Sequence, residues 1–184
     1  DSIIGNKEKL ESKTYKEIRK SNDKINKVGD IFEHGQAISP IIKKVENRIR
    51  GFVQIQNGCD HRCTFCIIPY GRGDSRSVEP ENVVNQINTL LDQGYKEIVL
   101  TGVDLTSYGH DLENKPNLAK LVSHILSSIP HLKRLRLSSL DVAEIDENLM
   151  DLIKYEKRIL PHIHLSLQAG DNMILKRMKR RHLR

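Results

Sequence analysis

Hydrophobic and polar positions follow two periods in alternation along most of this chain. From Arg48 the segment RIRGFVQIQNG reads as a strand, with Ile49, Val53 and Ile55 toward one face. The run EPENVVNQINTLLDQG then changes period: Val83, Val84, Ile87, Leu90 and Leu91 recur at helical spacing, Pro80 sits near the start and Gly94 closes it. KEIVLTGVDL predicts a second strand, and NLAKLVSHILSSI a helix stopped by Pro130. LKRLRLSSL predicts a third strand, carrying Leu132, Leu135, Leu137 and Leu140, before a helix in DENLMDLIKY. PHIHLSLQAG predicts a fourth strand, in which His162 and His164 are expected to line a core, and DNMILKRMKRR opens a fourth helix.

Strand and helix alternating in this way predict parallel βα units and the α/β class. A complete eight-unit barrel takes about 250 residues, so the expectation over 48–184 is a partial TIM-type (β/α) barrel of about four units. Chemistry in such folds gathers at the C-terminal ends of the strands. A cysteine-bearing loop follows the first strand, and TGVD (101–104), SSLD (138–141) and QAGD (168–171) follow the others, so these segments should meet on one rim. Residues 6–28 differ in texture: polar, lysine-rich, with Leu10, Tyr15 and Ile18 as sparse apolar points and a weakly amphipathic helix opening near Asn6. Gly29, Gly35 and Pro40 break up 29–47, where a domain boundary is expected.

Composition narrows the partners. The chain has 184 residues, no Trp and only 4% aromatics, so aliphatic residues must build the core. No apolar run approaches the roughly 20 residues that span a bilayer, and the N-terminal residues carry no signal-peptide pattern. The first residue is Asp rather than Met, which suggests a fragment. The net charge of +6 is uneven: residues 1–50 hold 12 basic and 8 acidic groups, 51–170 hold 12 and 15, and 171–184 hold 6 and 1. Basic ends fit a polyanion such as nucleic acid, or simply solvated helix faces. Lys176, Arg177, Lys179, Arg180 and Arg181 could meet phosphate on the first reading and only dress a helix on the second.

All three cysteines, Cys59, Cys63 and Cys66, fall in one loop as C-x-x-x-C-x-x-C. Three thiols cannot all pair, and the spacing points to metal binding in a reducing, cytoplasmic setting. Structural zinc wants four closed ligands, and His61 would be a cramped fourth. Three thiolates suit a 4Fe–4S cluster with one iron left open. Arg72 and Arg76 follow the loop and could bind phosphate or pair with Glu79 and Glu81.

CDHRCTFC, with Phe65 before the last cysteine, resembles the radical S-adenosylmethionine (SAM) superfamily. The continuation IIPYGRGDSRS, together with YKEIVLTGVDLTSYG, RLRLSSLD and HIHLSLQAGDNMILKRMKRRH, is similar to its methylthiotransferases. TGVDLTSYG looks more like the members that act on threonylcarbamoyladenosine in tRNA than those that act on isopentenyladenosine. The resemblance implies that Cys59, Cys63 and Cys66 hold three irons of a 4Fe–4S cluster and that SAM chelates the fourth. Thr101 and Gly102 would then offer backbone to the methionine amino group. Ser138, Ser139 and Gln168 would be polar contacts to SAM, and Asp104 a further contact or a helix cap. The chemistry implied is hydrogen abstraction from the adenine ring by a 5′-deoxyadenosyl radical, sulfur insertion from a second 4Fe–4S cluster, and methyl transfer from another SAM. A flavodoxin or ferredoxin would supply electrons. The second cluster's ligands are absent here, since no cysteine precedes Cys59. IIGNKEKLES resembles the tail of the N-terminal domain that carries that cluster. The implied organisation is therefore 1–35 as that tail, 36–47 as linker and 48–184 as a truncated radical SAM core. An electron-transfer module without transferase activity, or an inactive remnant, remain the alternatives.

Overall fold

The computed structural model describes residues 1–33 and 48–184. The linker expected over 36–47 lies outside them. Near the N-terminus, β1 (Ile3–Ile4) and β2 (Asn26–Lys27) pair in parallel across helix α1 (Ser12–Lys20). The helix expected near Asn6 begins later, because residues Glu8–Leu10 form only a 3₁₀ turn. This segment touches the rest of the chain where the Asn6 amide donates to the carbonyl of Gly71.

The predicted alternation is present. Strand β3 (Arg50–Gln54) leads through β4 (Gln56–Asn57), a short helix α2 (Ile68–Arg72) and β5 (Arg76–Ser77) to helix α3 (Pro80–Asp92). Then come β6 (Glu97–Thr101), α4 (Leu118–Ser128), β7 (Leu135–Leu137), β8 (Ser139–Leu140), α5 (Glu147–Tyr155), β9 (His164–Leu165) and α6 (Asn172–Arg177). β3, β6 and β7 form a parallel sheet in that order, and β8 continues the path to pair in parallel with β9. Consecutive strands are thus spatial neighbours joined by helices, which is a partial α/β barrel. Asn117, Asp146 and Asp171 cap α4, α5 and α6 by accepting the main-chain N–H of Lys120, Leu149 and Ile174.

Register explains the two faces of the sheet. Gly51, Ile98 and Leu135 align, as do Val53, Leu100 and Leu137. Apart from Gly51, which has no side chain, these residues join Ile87, Leu90, Leu121 and Ile125 of the helices in one buried core. The opposite face carries Arg50, Phe52, Glu97, Val99 and Arg136. There Glu97 is held by Arg50 at 2.7 Å, Arg136 at 2.9 Å and Arg134 at 3.4 Å. Burial alone would raise its carboxyl, but these arginines outweigh it and hold the group below its ordinary value.

Three expectations need correction. Ile49 precedes the first paired residue of β3 and is exposed rather than in the core. The third strand breaks at Ser138, and Leu132 is buried ahead of it. The fourth strand shrinks to two residues that both face solvent, so His162 and His164 are exposed and line no core among the described residues.

Candidate active site

The cysteine loop is a closed excursion. β4 and β5 pair antiparallel, matching Asn57 to Arg76, and so bring the two ends of the excursion together. The Cys59 N–H donates to Gly73 O at 3.1 Å, and the Ser75 N–H to Asp60 Oδ1 at 2.8 Å. Gly58 enters the loop with φ of +78°, and a Cβ there would lie 1.9 Å from the carbonyl oxygen of Asp74. Only glycine fits that approach.

Gln56, fully buried, fixes this loop to the neighbouring strand end. Its carbonyl accepts the N–H groups of Val103 and Asp104 at 2.9 and 2.8 Å. Its amide donates to Gly58 O at 2.8 Å and Ser75 Oγ at 2.9 Å. One side chain thus positions TGVD against the cysteines, a role that strand periodicity alone did not reveal.

The rim encloses a cavity of about 200 Å³ lined by all three cysteines. Among the residues expected to contact SAM, Asp104, Ser139 and Gln168 line it, together with Asp141, Ser166 and Arg180. Thr101, Gly102 and Ser138 do not line it. Thr101 Oγ1 donates back to Val53 O at 3.3 Å, and Gly102 packs on the Gln56 side chain. Ser138 Oγ is buried with no partner among the described residues. Ser139 Oγ lies 2.7 Å from His164 Nδ1. Gln168, three residues past β9, holds φ of +67°.

Asp104 occupies the N-cap position of the 3₁₀ turn Leu105–Ser107, but its side chain makes no capping bond to a main-chain N–H. Its carboxylate accepts from Ser107 Oγ at 2.7 Å and Thr106 Oγ1 at 3.0 Å, and meets His61 Nε2 at 2.9 Å. Burial opposes the charged form, yet the bonds from His61 and Ser107 keep Asp104 below the usual carboxylate range. The same contact, with Glu144 behind it, lifts His61 to about 9, so the imidazolium pins the cysteine loop to the TGVD turn. Glu144 is itself pulled down to about 2: burial is outweighed by bonds from His61 and Arg181.

The cationic tail divides. Arg180 is turned inward, with Nη2 2.8 Å from Asp141 Oδ2 and Nη1 3.7 Å from Cys63 Sγ. Arg181 pairs with Glu144. Arg180 is not presented to an external phosphate, whereas Arg181, although paired, is exposed, as are Lys176, Arg177 and Lys179. Arg72 and Arg76 also lie off the cavity. Arg76 donates to the Arg72 carbonyl at 2.8 Å, while Glu81 meets His124 at 2.9 Å.

The donor set fits an iron–sulfur cluster. The thiols are free and half-buried, and they face one cavity with polar groups on its far wall. Burial pushes the Cys59 thiol up to about 11, with Asp104 adding to it, so a metal must displace that proton. Cys59, His61 and Asp104 also bring ligand atoms within 4.8 Å of one another. A single ion there would break the His61–Asp104 bond and leave Cys63 and Cys66 unused.

Residues 53–184 match the radical SAM superfamily. The chain is 50% identical, over its whole length, to a threonylcarbamoyladenosine tRNA methylthiotransferase of Rickettsia prowazekii, and spans 43% of that protein. It is 36% identical over 99% of its length to the Bacillus subtilis protein of the same name, covering 40% of it. A tRNA-2-methylthio-N(6)-dimethylallyladenosine synthase of Carboxydothermus hydrogenoformans is 37% identical over 82% of the chain, which covers 34% of that protein. Among solved structures, a radical SAM methyltransferase from Kitasatospora setae with cobalamin and a 4Fe–4S cluster bound superposes with a TM-score of 0.57. That match has 18% identity and covers 72% of this chain and 26% of the other, a likeness of fold. The chain spans less than half the length of the curated relatives it matches, and it belongs to the radical SAM superfamily.

Proposed function

We propose that this chain is the SAM-cleaving core of a tRNA methylthiotransferase acting on N6-threonylcarbamoyladenosine. The observation that carries the reading is one cavity bounded by three free cysteines and by the ends of successive parallel strands. The 50% identity to the Rickettsia protein supports the choice of nucleoside. In this reading Cys59, Cys63 and Cys66 hold a 4Fe–4S cluster, which, when bound with SAM on its open iron, supplies the electron that cleaves SAM. Asp104, Ser139 and Gln168 face the volume in which SAM would sit. Gln56 and His61 hold the TGVD turn and the cysteine loop at fixed separation, and Phe65, Ile68 and Leu140 give the cavity an apolar part of its lining.

Residues 1–35 would be the tail of a preceding domain and 48–184 part of the catalytic barrel. Exposed Lys176, Arg177 and Lys179, together with Arg72, would be the groups offered to tRNA phosphate. A flavodoxin- or ferredoxin-type donor and a cytoplasmic setting fit the reading. Among the described residues no helix is long and apolar enough to cross a membrane.

The test is a chimera in which this chain replaces the matching segment of the Rickettsia relative. Expressed in cells lacking the activity, it should restore the methylthio group on threonylcarbamoyladenosine, read by mass spectrometry of tRNA nucleosides. A chimera that loads its cluster but leaves that nucleoside unmodified would refute the assignment.

A further inference from the structure

Helix α6 ends in a manner that aims one side chain. The Arg180 N–H donates to Leu175 O at 2.9 Å and the Lys179 N–H to Lys176 O at 3.0 Å. Lys179 takes φ of +56° between them. This is a left-handed helix stop, a position that glycine usually fills. A lysine there is strained, and the strain is tolerated where the turn serves a contact.

The contact is made by Arg180. Its side chain is only 7% exposed and that of Asp141 only 8%. Nη2 is fixed twice, by Asp141 Oδ2 at 2.8 Å and by Ser166 O at 2.9 Å. With Nη2 held, Nη1 points at Cys63 Sγ, 3.7 Å away. A second tie runs beside it, from the Thr64 N–H to Met178 O at 3.3 Å. Hydrogen bonds to cluster sulfurs and nearby positive charge favour the reduced, more negative cluster, and they act strongly where water is excluded.

We infer that Arg180 is a positioning residue that donates a hydrogen bond to the Cys63 thiolate and raises the reduction potential of the cluster bound there. This rests on the cluster reading above. Asp141 and Ser166 orient the guanidinium, so the effect depends on geometry as well as charge. The cluster thereby accepts its electron from a weaker reductant than three unassisted thiolates would allow.

The experiment is anaerobic reconstitution of the wild-type chain, Arg180→Gln and Arg180→Lys, with iron and sulfide determined for each. The midpoint potential is then measured by EPR-monitored titration without SAM, and SAM affinity is measured separately. The expected result is loaded clusters, with the potential of Arg180→Gln shifted to more negative values and that of Arg180→Lys in between. If Arg180→Gln fails to load, Arg180→Lys carries the test, since lysine keeps the charge but cannot hold Asp141, Ser166 and Cys63 together. An unchanged potential in a loaded variant would overturn the inference. So would an unchanged potential with weakened SAM binding, which would place Arg180 on the ligand instead. A wild-type chain that binds no cluster would refute the proposed function itself, a distinct outcome.

Discussion

The side-chain carbonyl of Gln56 accepts the main-chain N–H of Asp104 at 2.8 Å, joining the end of the first barrel strand to the turn after the second. The same carboxamide serves Val103, Gly58 and Ser75, so its removal orphans several buried groups at once. Gln56→Leu should lower stability by about 3 kcal/mol, since each unmet buried group costs roughly 1–3 kcal/mol. Gln56→Glu keeps the acceptor but sets a second carboxylate oxygen against the Gly58 carbonyl, so its loss should be larger at pH 7 than at about pH 4, where the carboxyl can carry a proton. Urea unfolding at the two pH values checks this, and a pH-independent loss would contradict it.

Gly58 offers a sharper backbone test. A Cβ at this position meets the Asp74 carbonyl oxygen at 1.9 Å in a left-handed conformation. Gly58→Ala should therefore cost more than the ~1 kcal/mol of an ordinary glycine replacement and should reduce iron bound per chain on reconstitution. A variant with wild-type stability and iron content would contradict the tight-loop geometry.

The arginine cluster on the open sheet face predicts a pH dependence. Glu97 is depressed in the folded chain, so its contribution is full above the ordinary carboxylate pKa and fades as pH falls through the folded value. Glu97→Gln should be destabilised at pH 7, and its deficit against wild type should shrink below about pH 4. Thermal melts at both pH values read this directly. A constant deficit would assign the loss to packing rather than charge.

Lys179 carries positive φ at the turn that aims Arg180. Lys179→Gly should leave stability unchanged or raise it by up to about 1 kcal/mol, because glycine has no penalty there. Lys179→Val should destabilise, since a β-branched residue resists that conformation. Differential scanning of the pair would show the contrast, and the opposite order would rule out the strained turn.

The sequence patterns made the barrel legible because each strand and helix has its own period and its own stop. Pro80, Gly94 and Pro130 sit where the helices begin or end. The rim was legible for the same reason, since polar turns must follow parallel strands on one side. Side-chain networks were not. Arg180 and Arg181 looked like their neighbours Lys176 and Arg177 in a basic run, and only the left-handed turn at Lys179 sends Arg180 to Asp141. His61 read as a spare ligand, whereas its partners Asp104 and Glu144 lie far along the chain. Arg72 and Arg76 read as phosphate binders or as partners of Glu79 and Glu81, and the fold sends Glu81 to His124 instead.

In the proposed function, three cysteines hold a cluster with one iron open to SAM. The most direct measurement is the EPR spectrum of the anaerobically reconstituted, reduced chain before and after SAM is added. The expected result is a 4Fe–4S signal that changes with SAM and is lost when Cys59, Cys63 or Cys66 is replaced by alanine. A cluster indifferent to SAM, or a colourless protein holding stoichiometric zinc, would contradict it.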